Sequence, residues 1–240
     1  KSCRQATYLA PCASLIAALS LLTPAPATAF TFSSGEIEGS LDTTISYGTR
    51  WRVQDRDERI IGIANGGTAY SVNGDDGNLN YDKGLVSNAI KITPELELRY
   101  RNYGAFVRGT WLYDFEVMNG DTARTPLSDD ARDEIGNKAE LLDAYVWGSW
   151  NPNGKPLDIR LGNQVVNWGE STFIQGGMNS INPVNVNLLR APGSELREAL
   201  KPVPRIWANF GATDKVSIEG FYQTHWKETI IDPVGSYWST

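Results

Sequence analysis

The sequence predicts an all-β protein, an antiparallel transmembrane β-barrel with a long inward-folded loop that carries a short helix. Several segments alternate apolar and polar side chains over more than the about five or six residues of an ordinary strand, and a strand that crosses a membrane needs about nine to eleven. Their connections alternate between long and short, as in outer-membrane barrels. Aromatic residues concentrate near the segment ends, where they suit the two membrane interfaces.

A secretory signal peptide is predicted for residues 1–29. Lys1 and Arg4 precede an apolar run at 15–22 that is too short to span a membrane, and a small-residue site places cleavage before Phe30. Both cysteines of the chain lie in this segment, so the mature protein is expected to have no thiol, disulfide or cysteine metal site. Stability must then come from a large core or a closed sheet.

The charge balance excludes one class of partner. Removing Lys1 and Arg4 with the signal peptide takes the formal net charge from −6 to −8 (−6 − 2). Nucleic acid is therefore not an expected partner, because its phosphates bind basic surfaces.

The first three predicted strands cover residues 36–53, 89–101 and 105–117. A polar connection rich in Gly, Asn and Asp, residues 54–87, joins the first to the second. Pro94 lies inside the second strand and requires a bulge or an edge there, because proline donates no ladder hydrogen bond. The apolar face of the first strand holds Ile37, Leu41, Ile45, Tyr47, Trp51 and Val53.

Four more strands are predicted at residues 140–150, 157–166, 205–212 and 216–226, after an acidic loop at 119–138. Seven strands are an odd number, which does not suit a bacterial single-chain barrel. Residues 30–240 are therefore expected to be the N-terminal part of a larger barrel, with more strands after them. Leu41, Ile45, Val107 and Val146 are expected to contact lipid, whereas Thr44 is expected to face the lumen.

The long connection at residues 170–203 is predicted to be an ordered plug or constriction. It is too long and too rich in Gly, Pro and Asn for a hairpin turn, and its apolar residues need a surface that buries them. Ser194 is predicted to cap a short helix from Glu195 to Leu200. That helix is expected to lie either on the barrel rim or inside the lumen as a constriction, and the sequence leaves both interpretations open.

Seven residues are the candidates for a pore or plug. Glu170 is expected to pair with Arg190 or Arg205, and a structural role for Trp168 and Glu170 is favoured over ligand contact. The full set is Trp168, Glu170, Arg190, Glu195, Arg197, Glu198 and Arg205.

Metal and catalytic chemistry have little support. Asp75 and Asp76 are weak candidates for Ca²⁺, but their spacing is not that of an EF-hand and a solvated turn is the favoured interpretation. His225 is the only histidine, and its predicted place on the polar face does not suit a Ser–His pair near lipid. No cofactor is predicted, and the chain is not predicted to be an enzyme.

Three motifs resemble a known family. GNQVVNWGESTFIQGG at 162–177, DDGNLNY at 75–81 and GSELRE at 193–198 are similar to domain of unknown function 1302, a family of Gram-negative outer-membrane proteins. The resemblance runs from the signal peptide to the end of the chain. It implies location in the bacterial outer membrane, a porin-like barrel, and work on hydrophobic small molecules beside periplasmic transporter components. It implies no catalytic residue.

The predicted function is a channel or transport component in the outer membrane, with outer-membrane lipid as a partner. The polar face of the strands carries both signs of charge, which suits a wet lumen crossed by cross-strand ion pairs. The alternative is a non-conducting structural or adhesive surface barrel, and an outer-membrane hydrolase is a third hypothesis.

Overall fold

Eight strands form a single antiparallel sheet in the computed structural model, which describes residues 30–169 and 177–239. Each strand pairs with its neighbours in sequence, and β1 and β8 are the two edges, so the sheet is not closed within the described residues. The strands are β1 Phe30–Ser34, β2 Ile37–Arg52, β3 Gly84–Tyr100, β4 Tyr103–Asp114, β5 Asn137–Trp150, β6 Leu157–Gln164, β7 Val203–Thr213 and β8 Val216–Gln223.

Helices are short and lie in the connections. Among the described residues no helix is long and apolar enough to cross a membrane. The α-helices are α1 Asp76–Leu79, α2 Phe115–Asn119, α3 Asp129–Gly136, α4 Val186–Arg190 and α5 Leu196–Ala199, and single 3-10 turns cover Ile63–Asn65, Pro152–Gly154 and Gly177–Ile181.

The sequence predicts seven strands, and the structure corrects this number by adding β1. This five-residue strand pairs with β2 through a turn in which Gly35 has a φ of 62°, a conformation that favours glycine. The ring of Phe32 lies directly over Gly39 of β2, where a Cβ atom would be 2.2 Å from the ring. The strand has too few residues to show a clear alternation of apolar and polar side chains, and it begins directly after the predicted cleavage site, so it was not predicted.

Several further boundaries differ from the prediction: β3 begins at Gly84 and not at 89, β6 ends at Gln164 and not at 166, and β8 ends at Gln223, before His225, and not at 226. The third predicted strand ends at Asp114 and not at 117, because the Asp114 carboxylate accepts the backbone N–H groups of Glu116 and Val117 at 3.0 and 3.2 Å and starts α2. The acidic connection that follows contains α3, which Ser128 caps by accepting the N–H of Ala131 at 3.1 Å.

A break in the ladder accommodates Pro94, as the sequence requires. The pairing of β3 with β4 skips residues 93 and 94, and the register of β4 with β5 shifts between Val107 and Gly109. On its other side Pro94 lies opposite Thr43 of β2. The missing N–H of proline therefore removes no β3–β4 hydrogen bond at this point.

The polar face of the sheet is buried and the apolar face is exposed, which is the reverse of a sheet that packs its apolar face in a core. On the face that we call the apolar face, Ile45 and Tyr47 are each 67% exposed. On the opposite face, the polar face, Lys91 is 2%, Thr93 1% and Arg205 1% exposed. Charged residues are almost never buried unless they are paired, so the polar face must be covered by matching groups. The other residues expected to contact lipid, namely Leu41, Val107 and Val146, are also exposed on the apolar face.

Candidate functional site

Residues 177–202, which we call the covering segment, lie on the polar face. Backbone hydrogen bonds join its two halves, from the N–H of Asn185 to the carbonyl of Ala199 at 2.7 Å and from the N–H of Lys201 to the carbonyl of Pro183 at 2.8 Å. The N–H of Val186 donates to the carbonyl of Ile230 at 2.9 Å, which ties the segment to the chain after β8. The segment is therefore a folded unit with its own backbone pairing.

Helix α4 begins at a cap that the sequence prediction missed. The Asn185 side chain accepts the N–H groups of Asn187 and Leu188 at 3.0 and 3.3 Å, and Asn185 is fully buried. The signal was present in the sequence, since an asparagine directly precedes a short apolar run that ends in Arg190. The helix buries Leu188, which lines one cavity together with Val86 of β3 and Leu112 of β4.

Helix α5 corrects the predicted cap and the predicted bounds. It spans Leu196–Ala199, and its N-cap is Glu195 and not Ser194. Glu195 and Glu198 form a capping box, in which the Glu198 carboxylate accepts the N–H of Glu195 at 3.0 Å. The cap thus turns the Glu198 side chain back over the start of the helix.

Glu198 and Lys91 of β3 form a buried ion pair, with side chains 4% and 2% exposed. The Lys91 ammonium also donates to the carbonyl of Gly193 at 2.8 Å, and Thr93 donates its hydroxyl to the Glu198 carboxylate at 3.2 Å. Burial by itself would raise the pKa of Glu198, but the hydrogen bonds from Lys91 and from the Glu195 N–H outweigh it and hold the pKa below the ordinary value. The carboxylate is therefore ionised at neutral pH.

A second buried ion pair joins β4 to β5. Arg108 and Asp143 are 7% and 9% exposed at their side chains, and Arg108 also donates to the backbone carbonyl of Arg197 at 3.3 Å. The Arg197 guanidinium itself lies 3.1 Å from the carboxylate of Glu95 on β3 and 2.7 Å from that of Glu195. Helix α5 is thus held to two strands, β3 and β4, by charged groups.

Arg205 of β7 holds the beginning of the covering segment. Its guanidinium donates to the side-chain oxygen of Asn182 at 2.6 Å and to the carbonyl of Ile181, and it lies over the ring of Phe221 at 4.8 Å. Glu170, which is predicted to pair with Arg205 or Arg190, lies outside the described residues.

Arg190 pairs with Asp232, after β8, and its guanidinium lies 5.2 Å from the ring of Trp238. Arg50 of β2 donates to the carbonyl of Arg190. Burial raises the pKa of Asp232, and the positive charge of Arg190 acts against this shift. Since the pair joins residues 42 positions apart, the alternation of the strands gave no signal for it.

Trp168 follows the end of β6 and contacts β8. Its indole N–H donates to the Glu219 carboxylate at 2.6 Å, the same oxygen accepts the indole N–H of Trp207 at 2.6 Å, and the Trp168 ring lies 5.3 Å from that of Phe221. Trp168 therefore links the end of β6 to β8 through a Glu219 oxygen that Trp207 of β7 shares.

The covering segment also approaches β2 closely. A Cβ atom at Gly48 would lie 2.6 Å from the Cβ of Pro192, and one at Gly193 would lie 3.2 Å from the Cβ of Ser46. Glycine at these two positions permits the backbone of the segment to lie directly on the strand.

The model of the family described as "Protein of unknown function (DUF1302)" matches residues 10–240. The chain belongs to this family. The match confirms the resemblance seen in the three motifs. No curated protein and no solved structure matches the chain.

In this DUF1302 protein the two aspartates considered for Ca²⁺ lie in a folded loop and not in a solvated turn. The Asp75 carboxylate accepts the N–H of Gly62 at 2.8 Å, and the Asp76 carboxylate accepts the N–H of Gly235 at 2.8 Å and the Ser239 hydroxyl at 2.8 Å. Burial acts to raise the pKa of Asp76, and these hydrogen bonds lower it further than burial raises it. Among the described residues no group of three or more His, Cys, Asp and Glu is placed to hold a metal ion.

The single histidine of the DUF1302 chain is exposed and lies beyond the end of β8. The Nδ1 atom of His225 is 3.1 Å from the hydroxyl oxygen of Thr224. No carboxylate of the described residues contacts the imidazole, and a contact between adjacent residues alone is not the arrangement of a catalytic triad.

Proposed function

We propose that the sheet is the wall of a transmembrane β-barrel in the bacterial outer membrane, and that the protein is a channel or transport component. The observation that carries the proposal is the reversed burial of the two faces, with Ile45 and Tyr47 exposed and Lys91 and Arg205 buried. Exposing a large apolar side chain to water costs about 1.5–3 kcal/mol relative to burial, whereas lipid removes this cost. An apolar outer face with a polar interior is the pattern of outer-membrane barrels.

Aromatic side chains at the strand ends support the same proposal. Tyr100, Tyr103 and Trp150 are 43%, 48% and 38% exposed at the end of the sheet that carries the short turns, and the Tyr103 and Trp150 rings lie 5.7 Å apart. Trp51, at the far end of β2, is 59% exposed. Exposed aromatic residues near both ends of the strands suit the two interfaces of a membrane.

The covering segment is the constriction of the proposed pore. It lies on the face that becomes the lumen wall, and half-exposed Arg197 stands between the carboxylates of Glu95 and Glu195. Rings of charged side chains set the selectivity of a pore. Half-buried aromatic residues on the same face, Phe106 and Tyr145 with rings 5.5 Å apart, support hydrophobic compounds as the cargo. Periplasmic transporter components are proposed as partners on the family resemblance alone.

A non-conducting structural or adhesive barrel is the second candidate. The buried Lys91–Glu198 and Arg108–Asp143 pairs favour it, because they fix the covering segment in place. The hydrolase is the weakest candidate, because His225 contacts only the neighbouring Thr224 hydroxyl among the described groups, so we propose no enzymatic activity.

Planar-bilayer recording of the full-length protein tests the proposal. We expect ion conductance from the wild type and a larger conductance when residues 177–202 are deleted, with circular dichroism in vesicles as the check that the deleted variant still forms its sheet. Silence of both folded proteins would establish the non-conducting barrel instead. Recovery of the protein in the soluble periplasmic fraction would contradict the membrane proposal itself.

A further inference from the structure

Two of the arginines that stack on aromatic rings on the polar face, Arg205 and Arg160, differ in what their N–H groups contact. Arg205 stacks on Phe221, and its guanidinium donates to the side-chain oxygen of Asn182 and to the carbonyl of Ile181. Arg160 of β6 lies over the Trp207 ring at 4.1 Å. Within residues 30–169 and 177–239, the Arg160 guanidinium has neither a hydrogen-bond acceptor nor an acidic partner. The backbone carbonyl of Arg160 accepts the side-chain N–H of Gln164 at 3.4 Å.

The nearby carboxylates have other partners. Asp158, two residues before Arg160, accepts the Ser149 hydroxyl at 2.6 Å, and Glu219 accepts the indole N–H groups of Trp207 and Trp168. Within the described part of the chain the Arg160 N–H donors therefore have no acceptor, although the Trp207 ring beneath the guanidinium fixes its plane.

Stacking on one face leaves the edge of a guanidinium free. That edge carries N–H donors in a fixed fork, which matches the two oxygens of a carboxylate. Because Trp207 already restricts the side chain, an arriving anion orders few additional rotamers, and pre-organisation of this kind strengthens binding.

Three aromatic rings on the polar face extend from Arg160 towards β4. Tyr145 lies 5.9 Å from the Arg160 guanidinium on the side away from Trp207 in the strand order, and the Phe106 ring follows at 5.5 Å from Tyr145. Trp147 pairs with Arg160 in the β5–β6 register, and its indole lies over Gly104, where a Cβ would be 2.4 Å away. Apart from Trp207 these aromatic rings are half-buried and can make further contacts.

We propose that Arg160 and the rings of Phe106, Tyr145 and Trp147 form a binding site for an apolar molecule that ends in a carboxylate. The guanidinium edge binds the carboxylate, and the aromatic rings contact the apolar body. The inference rests on the proposed function, because the ligand reaches the polar face only if that face lines a lumen.

Binding of 11-(dansylamino)undecanoate to the full-length protein in lipid nanodiscs tests the site, with energy transfer from tryptophan to dansyl as the readout and empty nanodiscs as the background. The uncharged primary amide of the same probe is the matched ligand. We expect wild-type protein to bind the carboxylate at least tenfold more tightly than the amide. Arg160→Gln should abolish this preference and leave amide binding unchanged, and Arg160→Lys should restore part of it.

Arg99→Gln is the matched control variant, because Arg99 lies on the same face but is paired with Glu97 at 2.7 Å. It should keep the wild-type preference. Equal binding of carboxylate and amide by the wild type, or a preference that survives Arg160→Gln, would overturn the inference. Bilayer conductance separates the two proposals: a conducting protein without the preference refutes only the site, and a silent protein with the preference refutes only the channel.

Discussion

Replacing Lys91 by methionine tests how the covering segment is held. Lys91 and Glu198 are 2% and 4% exposed at their side chains, and loss of the ammonium group leaves the carboxylate with the Thr93 hydroxyl and the Glu195 N–H as donors. Removing one member of a buried ion pair costs about 3–5 kcal/mol, because the other charge stays buried without a partner. At about 1.36 kcal/mol per factor of ten, the open form of the segment should become roughly 10²–10⁴ times more populated.

Limited proteolysis of the protein in lipid vesicles measures this population. When opening and closing are fast relative to cleavage, the rate of cutting between Gly177 and Leu200 follows the fraction of open molecules. Lys83→Met is the matched control, since Lys83 pairs with Asp55 at 2.8 Å but the side chains are 50% and 78% exposed, so its loss should cost only about 0–1 kcal/mol.

A double variant makes the test stricter. Lys91→Met combined with Glu198→Leu removes both charges, and it should recover most of the protection because no buried charge is left unpaired. If Lys91→Met is cut no faster than Lys83→Met, the buried pair does not hold the segment and the reasoning is refuted.

Three further predictions concern facing, packing and pH. Ile45→Arg should lower the free energy of unfolding in vesicles by about 2–4 kcal/mol and Thr44→Arg by much less, and equal losses would contradict the assigned faces. Gly48→Val should push Pro192 away, because even a Cβ there would lie 2.6 Å from the proline, and single-channel conductance should rise; an unchanged conductance would count against this contact. Burial would raise the pKa of Glu198, but the facing ammonium group and the hydrogen bonds lower it below 4.5. The ionised carboxylate therefore stabilises the closed segment fully above pH 4.5, and this stabilisation is lost as the pH falls through the lower pKa of the folded state. Cleavage of the segment should therefore accelerate in acid, Glu198→Gln should remove this pH dependence, and a pH-independent wild type would argue against the assignment.

The long strands could be predicted from the sequence because each residue reports its own face. Alternation from Ile37 to Arg52 defines β2 almost to the residue, and Pro94 correctly predicted an interruption of the ladder. The five-residue β1 could not be found in this way, since a short strand contains too few alternations. The third strand was predicted too long, because Asp114 ends it through a cap and the apolar pattern continues into α2.

The partners across the covering segment could not be predicted, because they join residues that are far apart in sequence. Glu198 was named as a charged residue of the segment, but its partner Lys91 is 107 positions away. Arg190 and Asp232 likewise meet only when the chain after β8 folds back. Local signals did exist for the caps, and an acidic residue three positions after Glu195 indicates a capping box that the choice of Ser194 overlooked.

Single-cysteine spin labelling along β2 is the most direct test of the claim that the apolar face lies against lipid. Cys3 and Cys12 are the only cysteines and fall in the predicted signal peptide, so one introduced cysteine labels one site. Electron paramagnetic resonance of the protein in vesicles compares collision with oxygen, which concentrates in lipid, and with a water-soluble nickel chelate. We expect high oxygen accessibility at positions 45 and 47 and low oxygen accessibility at 44 and 46. Higher accessibility to the nickel chelate at 45 and 47, or no alternation at all, would contradict the claim.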